Sequence, residues 1–296
     1  MRILHFSDVH LEGGLDDVPW QELAGKRALA VVNLVVRRRA RFRDAPRKLE
    51  ALASFAREQG VDLALCTGDW TAIGTHPDLA VAARHAHAFA ALPHGLLTVA
   101  GNHDVYLPDA VADGRFARHL GWAARYDDDA LRTASEPLPF VRLFDGVAVV
   151  GVDSARPNPE PWKSSGRVPA AQLAALDRVL RLPAVRERFV VIATHYAPRL
   201  WDGRPDRWFH GLENADALLG ICARVDRGLF VHGHVHRRYV VRLKGLRIPV
   251  FCAGSATERG HESAWMYDIG EGSVRACPLT WRESGWQRGD WDDVRI

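Results

Sequence analysis

The chain has 296 residues, 47% of them hydrophobic, and a formal charge of +3. That is apolar material for a sizeable core, in one large domain or two small ones, with a charge too balanced to attract nucleic acid through the whole molecule. Four cysteines, Cys66, Cys222, Cys252 and Cys277, form no CxxC pair and read as reduced, mostly buried thiols rather than a disulfide framework. The opening residues lack the succession of a signal peptide and no apolar run reaches about 18 residues, so the expected location is cytoplasmic, with no spanning helix.

In chain order, RILHF (Arg2 to Phe6) reads as a buried strand ending at Ser7-Asp8. An insertion follows from Pro19 to Asp44: its middle, Ala28 to Val36, is almost wholly apolar and runs into Arg37, Arg38, Arg39, Arg41 and Arg43. It suits a lid helix or one lying in an interface, its arginines reaching lipid headgroups or a phosphorylated substrate, or simply a capping helix with a solvated basic end. A helix is expected from Pro46 to Gly60, a strand over VDLALCT ending at Gly68-Asp69, a helix from Pro77 to Leu92, and a strand over GLLTVA running into Gly101-Asn102.

Later, VRLF and VAVVGV flank the hairpin signal Asp145-Gly146. A helix over PAAQLAALDRVLRL leads to FVVIATH, and LFVH, YVVRL, LRIPVF, AWMYDI and SVRACPL follow as short strands. One sheet is therefore fed by β-α units and another by hairpins. The predicted fold is α/β, a four-layer α-β-β-α sandwich of two mixed β-sheets flanked by helices, with one domain over 1–280 and a tail over 281–296 packed as a flap.

Five polar motifs fall at the ends of apolar strands: Asp8-Val9-His10, Gly68-Asp69, Gly101-Asn102-His103-Asp104, His195 and Gly233-His234-Val235-His236. Divalent metals of hard to borderline character take carboxylate, amide oxygen and imidazole, and these motifs supply all three. Two ions about 3.5 to 4 Å apart share a ligand, and Asp69, with two oxygens, is the natural bridge. Gly68, Gly101 and Gly233 are expected to permit backbone turns that a side chain would oppose. His5 and His232 lie inside strands and are expected to pack or to back the ligands, while His210 and His261 sit in loops that could approach the rim.

The pattern DxH, GD, GNH[DE], H, GHxH resembles the calcineurin-like metallophosphoesterase family over Asp8 to His236. The resemblance implies Asp8, His10, Asp69 and His236 on one metal, and Asp69, Asn102, His195 and His234 on the other. It further implies His103 as the residue that protonates or stabilises the leaving group. The cofactors would be two divalent or mixed-valence ions, manganese, iron or zinc, whose bridging hydroxide attacks phosphorus. Some relatives carry a carboxylate three residues after the bridging Asp; here that position is Ala72, leaving Asp104 as a candidate to orient His103.

Two further stretches, Asp153 to Leu176 and Thr194 to Pro198, resemble bacterial cyclic-nucleotide-phosphodiesterase-like members, with Tyr196 replacing a second histidine. A phosphodiesterase acting on a small molecule is thus the leading expectation. The insertion resembles the lid that UDP-diacylglucosamine hydrolases place over acyl chains, which makes a lipid-linked pyrophosphate at the membrane surface, with peripheral contact through Arg37–Arg43, the alternative. A nuclease lacks its usual attachment segments here. A non-catalytic scaffold is disfavoured because all seven ligand side chains are present.

Overall fold

The computed structural model describes residues 1–124, 139–283 and 285–295. Its strands are Arg2–Phe6 (β1), Leu63–Cys66 (β2), Leu96–Thr98 (β3), Phe140–Phe144 (β4), Val147–Gly151 (β5), Phe189–Ala193 (β6), Gly228–His232 (β7), Arg238–Val241 (β8), Val250–Ala253 (β9), Ser263–Ile269 (β10), Val274–Arg282 (β11), Gly285–Arg288 (β12) and Asp292–Asp293 (β13). One sheet runs β12-β11-β10-β1-β2-β3, with β13 also beside β11; the other runs β4-β5-β6-β7-β9-β8. β1, β2 and β3 are parallel, as are β5, β6, β7 and β9, and the flanking strands are antiparallel. Both sheets are mixed, as expected.

Three apolar layers hold the sheets and helices together. Ile3, Leu65, Val149, Val191, Leu229 and Val231 fill the space between the sheets. Leu4 and Phe6 meet Leu49, Leu52 and Leu79 from helices α3 (Ala45–Glu58) and α4 (His76–Ala86). Phe230 and Ile192 meet Leu176 and Leu218 on the far side. Because side chains alternate along a strand, a strand buried on both faces is apolar throughout, which is why these segments read as unbroken hydrophobic runs.

The chain starts α3 with Pro46 in its first turn, where the missing N–H costs nothing. Thr75 and Asp78 form a reciprocal cap on α4. That helix ends at Ala86 and continues only as a tight turn over His87–Phe89, short of the expected Leu92. Likewise β9 begins at Val250, after Pro249, because proline cannot donate to the ladder. The expected boundary at 280/281 falls inside β11, and Trp286 of β12 packs into the helix-side core, its indole N–H donating to the Lys48 carbonyl at 2.9 Å.

The insertion opens with turns over 19–25 and continues as a run of helix: α1 (Lys26–Asn33), a π-helical turn over Leu34–Arg38, and α2 (Arg39–Phe42). Leu34 anchors it on Ala72 and Ile73, and buried Arg27 on Asp109 at 2.5 Å. Leu29, Val32, Val35 and Val36 face outward and are exposed. Among the described residues no helix is long and apolar enough to cross a membrane, and all four cysteines are buried and free.

Candidate metal centre

The parallel strands of both sheets end at one rim. From the first sheet, β1 delivers Asp8 and His10, β2 delivers Asp69, and β3 delivers Asn102 and His103; from the second, β6 delivers His195 and β7 delivers His234 and His236. Asp8, His10, Asp69, Asn102, His195 and His234 are buried and His236 is half-buried.

The backbone at this rim is strained in a specific way. Asp8, His10, Asp69, His234 and His236 all have positive φ, between 52° and 73°, and among the described residues the one other non-glycine with this geometry is Glu283. Such positions cost of order 1 to 3 kcal/mol each and persist where the surroundings enforce them. Of the three expected turn glycines only Gly68 is left-handed, at φ 97°. Gly101 and Gly233 are needed for space instead: a Cβ would collide with Asp69 at the first and with Ser7 and Asp8 at the second.

Asp8, His10, Asp69 and His236 offer donor atoms that all lie within 4.8 Å of one another. His10 Nε2 is 3.0 Å from His236 Nε2 and 3.8 Å from Asp69 Oδ2, and His236 Nε2 is 3.2 Å from Asp8 Oδ1. A second group adjoins it, with His195 Nε2 3.5 Å from Asp69 Oδ1 and 3.0 Å from Asn102 Oδ1, which lies 3.1 Å from His234 Nδ1. The two oxygens of Asp69 thus face different clusters.

Each of the four histidines has its other ring nitrogen on a fixed oxygen. His10 Nδ1 is 3.2 Å from the Thr71 carbonyl, His195 Nδ1 2.7 Å from the Thr67 carbonyl, His236 Nδ1 2.5 Å from Glu258 Oε2, and His234 Nε2 3.0 Å from the His210 carbonyl. Donating there leaves a lone pair on the inward nitrogen, the arrangement that metal-binding imidazoles use. Two such nitrogens 3.0 Å apart repel unless a proton or a cation lies between them. Buried Asp8 Oδ1 makes no well-formed hydrogen bond, with His236 Nε2 3.2 Å away, although Asp8 Oδ2 accepts from the His234 N–H at 2.9 Å. An unsatisfied carboxylate oxygen beside inward lone pairs fits a divalent ion.

The electrostatics agree. Burial opposes charge on Asp8, but His236 and His195 hold its carboxyl below the usual range. Burial and repulsion from Asp8 push Asp69 up to about 8. Burial also opposes charge on His236, yet Asp8 and Glu258 lift it to about 9, while burial keeps His10, His195 and His234 low and neutral.

His103 stands beside the first cluster, its ring centroid 4.8 Å from that of His10. Its Nδ1 donates to the Ala72 carbonyl at 2.6 Å, so the residue that lacks the expected carboxylate orients His103 through its backbone. Asp104 does a different job. Its carboxylate accepts from the N–H groups of Asp69, Thr71 and Gly101 at 2.9 to 3.0 Å, binding the second motif to the third. Desolvation, then the Arg38 guanidinium, lowers the His103 pKa well below its ordinary value.

His5 and His232 are fully buried, with ring nitrogens near Tyr267, Thr67, Tyr239 and the Gly233 carbonyl, and burial lowers them to about 3 and about 4. His210 does reach the rim: its ring lies 4.2 Å from that of His234 and its Nδ1 is 2.6 Å from Asp206. His261 is exposed in the turn after Glu258. Tyr196 is buried 4.1 Å from the His234 ring, its hydroxyl donating to the Ser164 carbonyl at 2.5 Å. Gln172 clamps both the N–H and the carbonyl of Asp153, so this stretch braces the loop behind His195.

Two further residues have a part in the site: Glu258, which no motif announced, and Arg38, which the sequence marked only as one of the five arginines following the insertion's apolar middle. Glu258 is buried, its other oxygen paired with Arg41, and is held down to about 2 despite burial by His236 and Arg41. Arg38 comes from the insertion, its Nη2 2.9 Å from His10 Nδ1 and its Nη1 3.2 Å from both ring nitrogens of His103. The polar run after β9 was a visible signal for Glu258, since the seven candidate metal ligands also follow apolar strands.

A sequence model of the calcineurin-like phosphoesterases matches residues 1–238. No protein of curated function matches by sequence. Among solved structures, a dimetal phosphatase from Danio rerio superposes with a TM-score of 0.64 at 15% identity, covering 99% of this chain and 98% of that one. A purple acid phosphatase from yellow lupin seeds gives 0.54 at 10%, covering 94% of this chain and 51% of that one. GAP50, described as the anchor in the inner membrane complex of Plasmodium, gives 0.54 at 8%, covering 100% and 89%. At these identities the likeness concerns the fold.

Proposed function

The chain belongs to the calcineurin-like phosphoesterase family, and from that premise we propose that it is a phosphodiesterase with Asp8, His10, Asp69 and His236 holding one metal ion and Asp69, Asn102, His195 and His234 the other. Four imidazoles, each with its outer nitrogen tied to an oxygen, carry this reading. Two ions bound there would supply an ionised water near neutral pH and offset the charge of the phosphoryl oxygens. Mixed nitrogen and oxygen donors suit manganese, iron or zinc.

The protein's own part is placement. Asp104 fixes the backbone of Asp69, Thr71 and Gly101, so that the shared carboxylate keeps its position when substrate arrives. His103, with Nδ1 committed to the Ala72 carbonyl, presents Nε2, which must first take up a second proton in order to pass it to the departing oxygen. The complete donor set argues against a scaffold without catalysis.

The deciding experiment adds manganese to metal-stripped protein and follows p-nitrophenol release from bis-p-nitrophenyl phosphate and from the mono-ester. Turnover chiefly of the bis-ester is expected. His103→Ala should keep its metal and lose turnover, by about 100-fold or more, while Asp69→Ala should lose the metal. Silence of the loaded wild type on both esters would falsify the reading. The second reading, hydrolysis of a lipid-linked pyrophosphate at a membrane surface, is favoured by one observation: Trp20, Leu29, Val32 and Val36 are exposed near exposed Arg37 and Arg43. Co-sedimentation with anionic vesicles in the same preparation supports it, and its absence removes it.

A further inference from the structure

Two cavities meet at Arg38. One, of about 480 Å³, lies between the insertion helix and the loop after β1; its wall is mostly apolar, from His10 past Leu11, Leu34, Val35 and Phe42, and also includes Glu12, Arg39 and Arg43. The other, of about 330 Å³, lies on the opposite side of the helix, and runs from Asn102 and His103 out to Tyr106, Trp162 and Lys163. Arg38 lines both.

The guanidinium between them is unusually placed. Of the other arginines of the segment, Arg37 and Arg43 are exposed to solvent and three have carboxylates, Arg27 on Asp109, Arg39 on Glu12 and Arg41 on Glu258. Among the described residues none pairs with half-buried Arg38, whose neighbours are the rings of His10 and His103. Once His10 uses Nε2 for a metal, its Nδ1 carries a hydrogen for the Thr71 carbonyl and has nothing to offer Arg38. Of the Arg38 donors, one N–H can meet the His103 Nε2 lone pair at 3.2 Å; a partly desolvated guanidinium without a carboxylate calls for an anion, and its planar fork matches two oxygens of a phosphoryl group.

We propose that Arg38 contacts the phosphoryl group of a phosphodiester whose two arms occupy the two cavities, an apolar arm on the His10 side and a polar, aromatic-bearing arm beside His103. This rests on the phosphodiesterase reading above and adds the substrate class. Water gives its oxygen to phosphorus, the P–O bond on the His103 side breaks, the departing oxygen leaves as an alcohol with a proton, and the apolar arm remains as a phosphomonoester. A mono-ester would need only one cavity.

The test uses metal-loaded full chain with two diesters, methyl and hexyl p-nitrophenyl phosphate, whose nitrophenol arm departs in both. Wild type should prefer the hexyl ester by about tenfold or more in kcat/KM, from the burial of added methylenes, and Val35→Trp, which fills the apolar cavity, should erase that ratio. Arg38→Ala should lower kcat/KM on both diesters by about 100-fold at unchanged metal content, with partial recovery in Arg38→Lys. Equal hydrolysis of the two esters by wild type, or full activity of Arg38→Ala, overturns the proposal while leaving the phosphodiesterase reading intact. Failure of loaded wild type on both diesters removes that reading and this proposal with it.

Discussion

Protons and metals compete for the same atoms at this rim. Without metal, Asp69 titrates at about 8 and His236 at about 9. Both are raised values, so the protonated forms prevail at pH 7 and must be displaced on loading. Metal uptake at pH 7 should therefore release about two protons, and affinity should climb with pH until about 9. Calorimetry in buffers of different ionisation enthalpy measures the release, and uptake without any proton release contradicts the assignment. The gathering of Asp8, His10, Asp69, Asn102, His195, His234 and His236 at one rim was legible in the sequence because each follows an apolar strand. The orienting group for His103 was not, because it is the Ala72 carbonyl, and an oxygen that every residue possesses leaves no mark on the residue string.

At the scale of the element, strands ending in strained turns do the positioning. Gly233→Ala should lower melting temperature and metal content together, since the new methyl has no room beside Ser7 and Asp8 and overpacking costs about 1 to 3 kcal/mol. Gly220, exposed within helix α9 (Ala215–Cys222), has nothing within 4 Å of an added Cβ, so Gly220→Ala should raise stability by about 0.5 to 1 kcal/mol. Thermal melts and metal analysis of the pair check both, and normal metal content in Gly233→Ala contradicts the steric argument. Unbroken apolar runs exposed most of the two sheets in advance. The short helices α5 (Pro108–Ala112) and α6 (Arg115–Leu120) escaped because pieces of one or two turns carry too little periodicity to stand out.

The molecule as a whole is two sheets joined by an apolar layer and, at one rim, by residues from both. Asp8, His10, Asp69 and Asn102 belong to the first sheet and His195, His234 and His236 to the second. An ion held by both sides favours the folded state alone, so metal at 100 times its Kd should add about 2.7 kcal/mol. In a chain of this size that corresponds to an upward shift in melting temperature of roughly 4 °C. Scanning calorimetry with and without chelator measures it, and an unchanged melt means the cations do not bridge the sheets. The packing of one sheet on the other was legible from the apolar runs, whereas the strands β12 and β13 were not, their short polar sequences reading as a packed flap rather than as members of the sheet.

The π-helical turn over Leu34–Arg38 carries a consequence for how such a site is built. A π turn holds one residue more than an α turn, and each residue advances a helix by about 100°. Upstream, the helix keeps Leu34 seated on Ala72 and Ile73; downstream, everything is rotated by that extra step, and Arg38 meets His10 and His103. Gain or loss of one residue in this turn would thus swing the guanidinium away from the two imidazoles while Leu34 kept its seat, so the aim of this charge depends on a single residue of helix length.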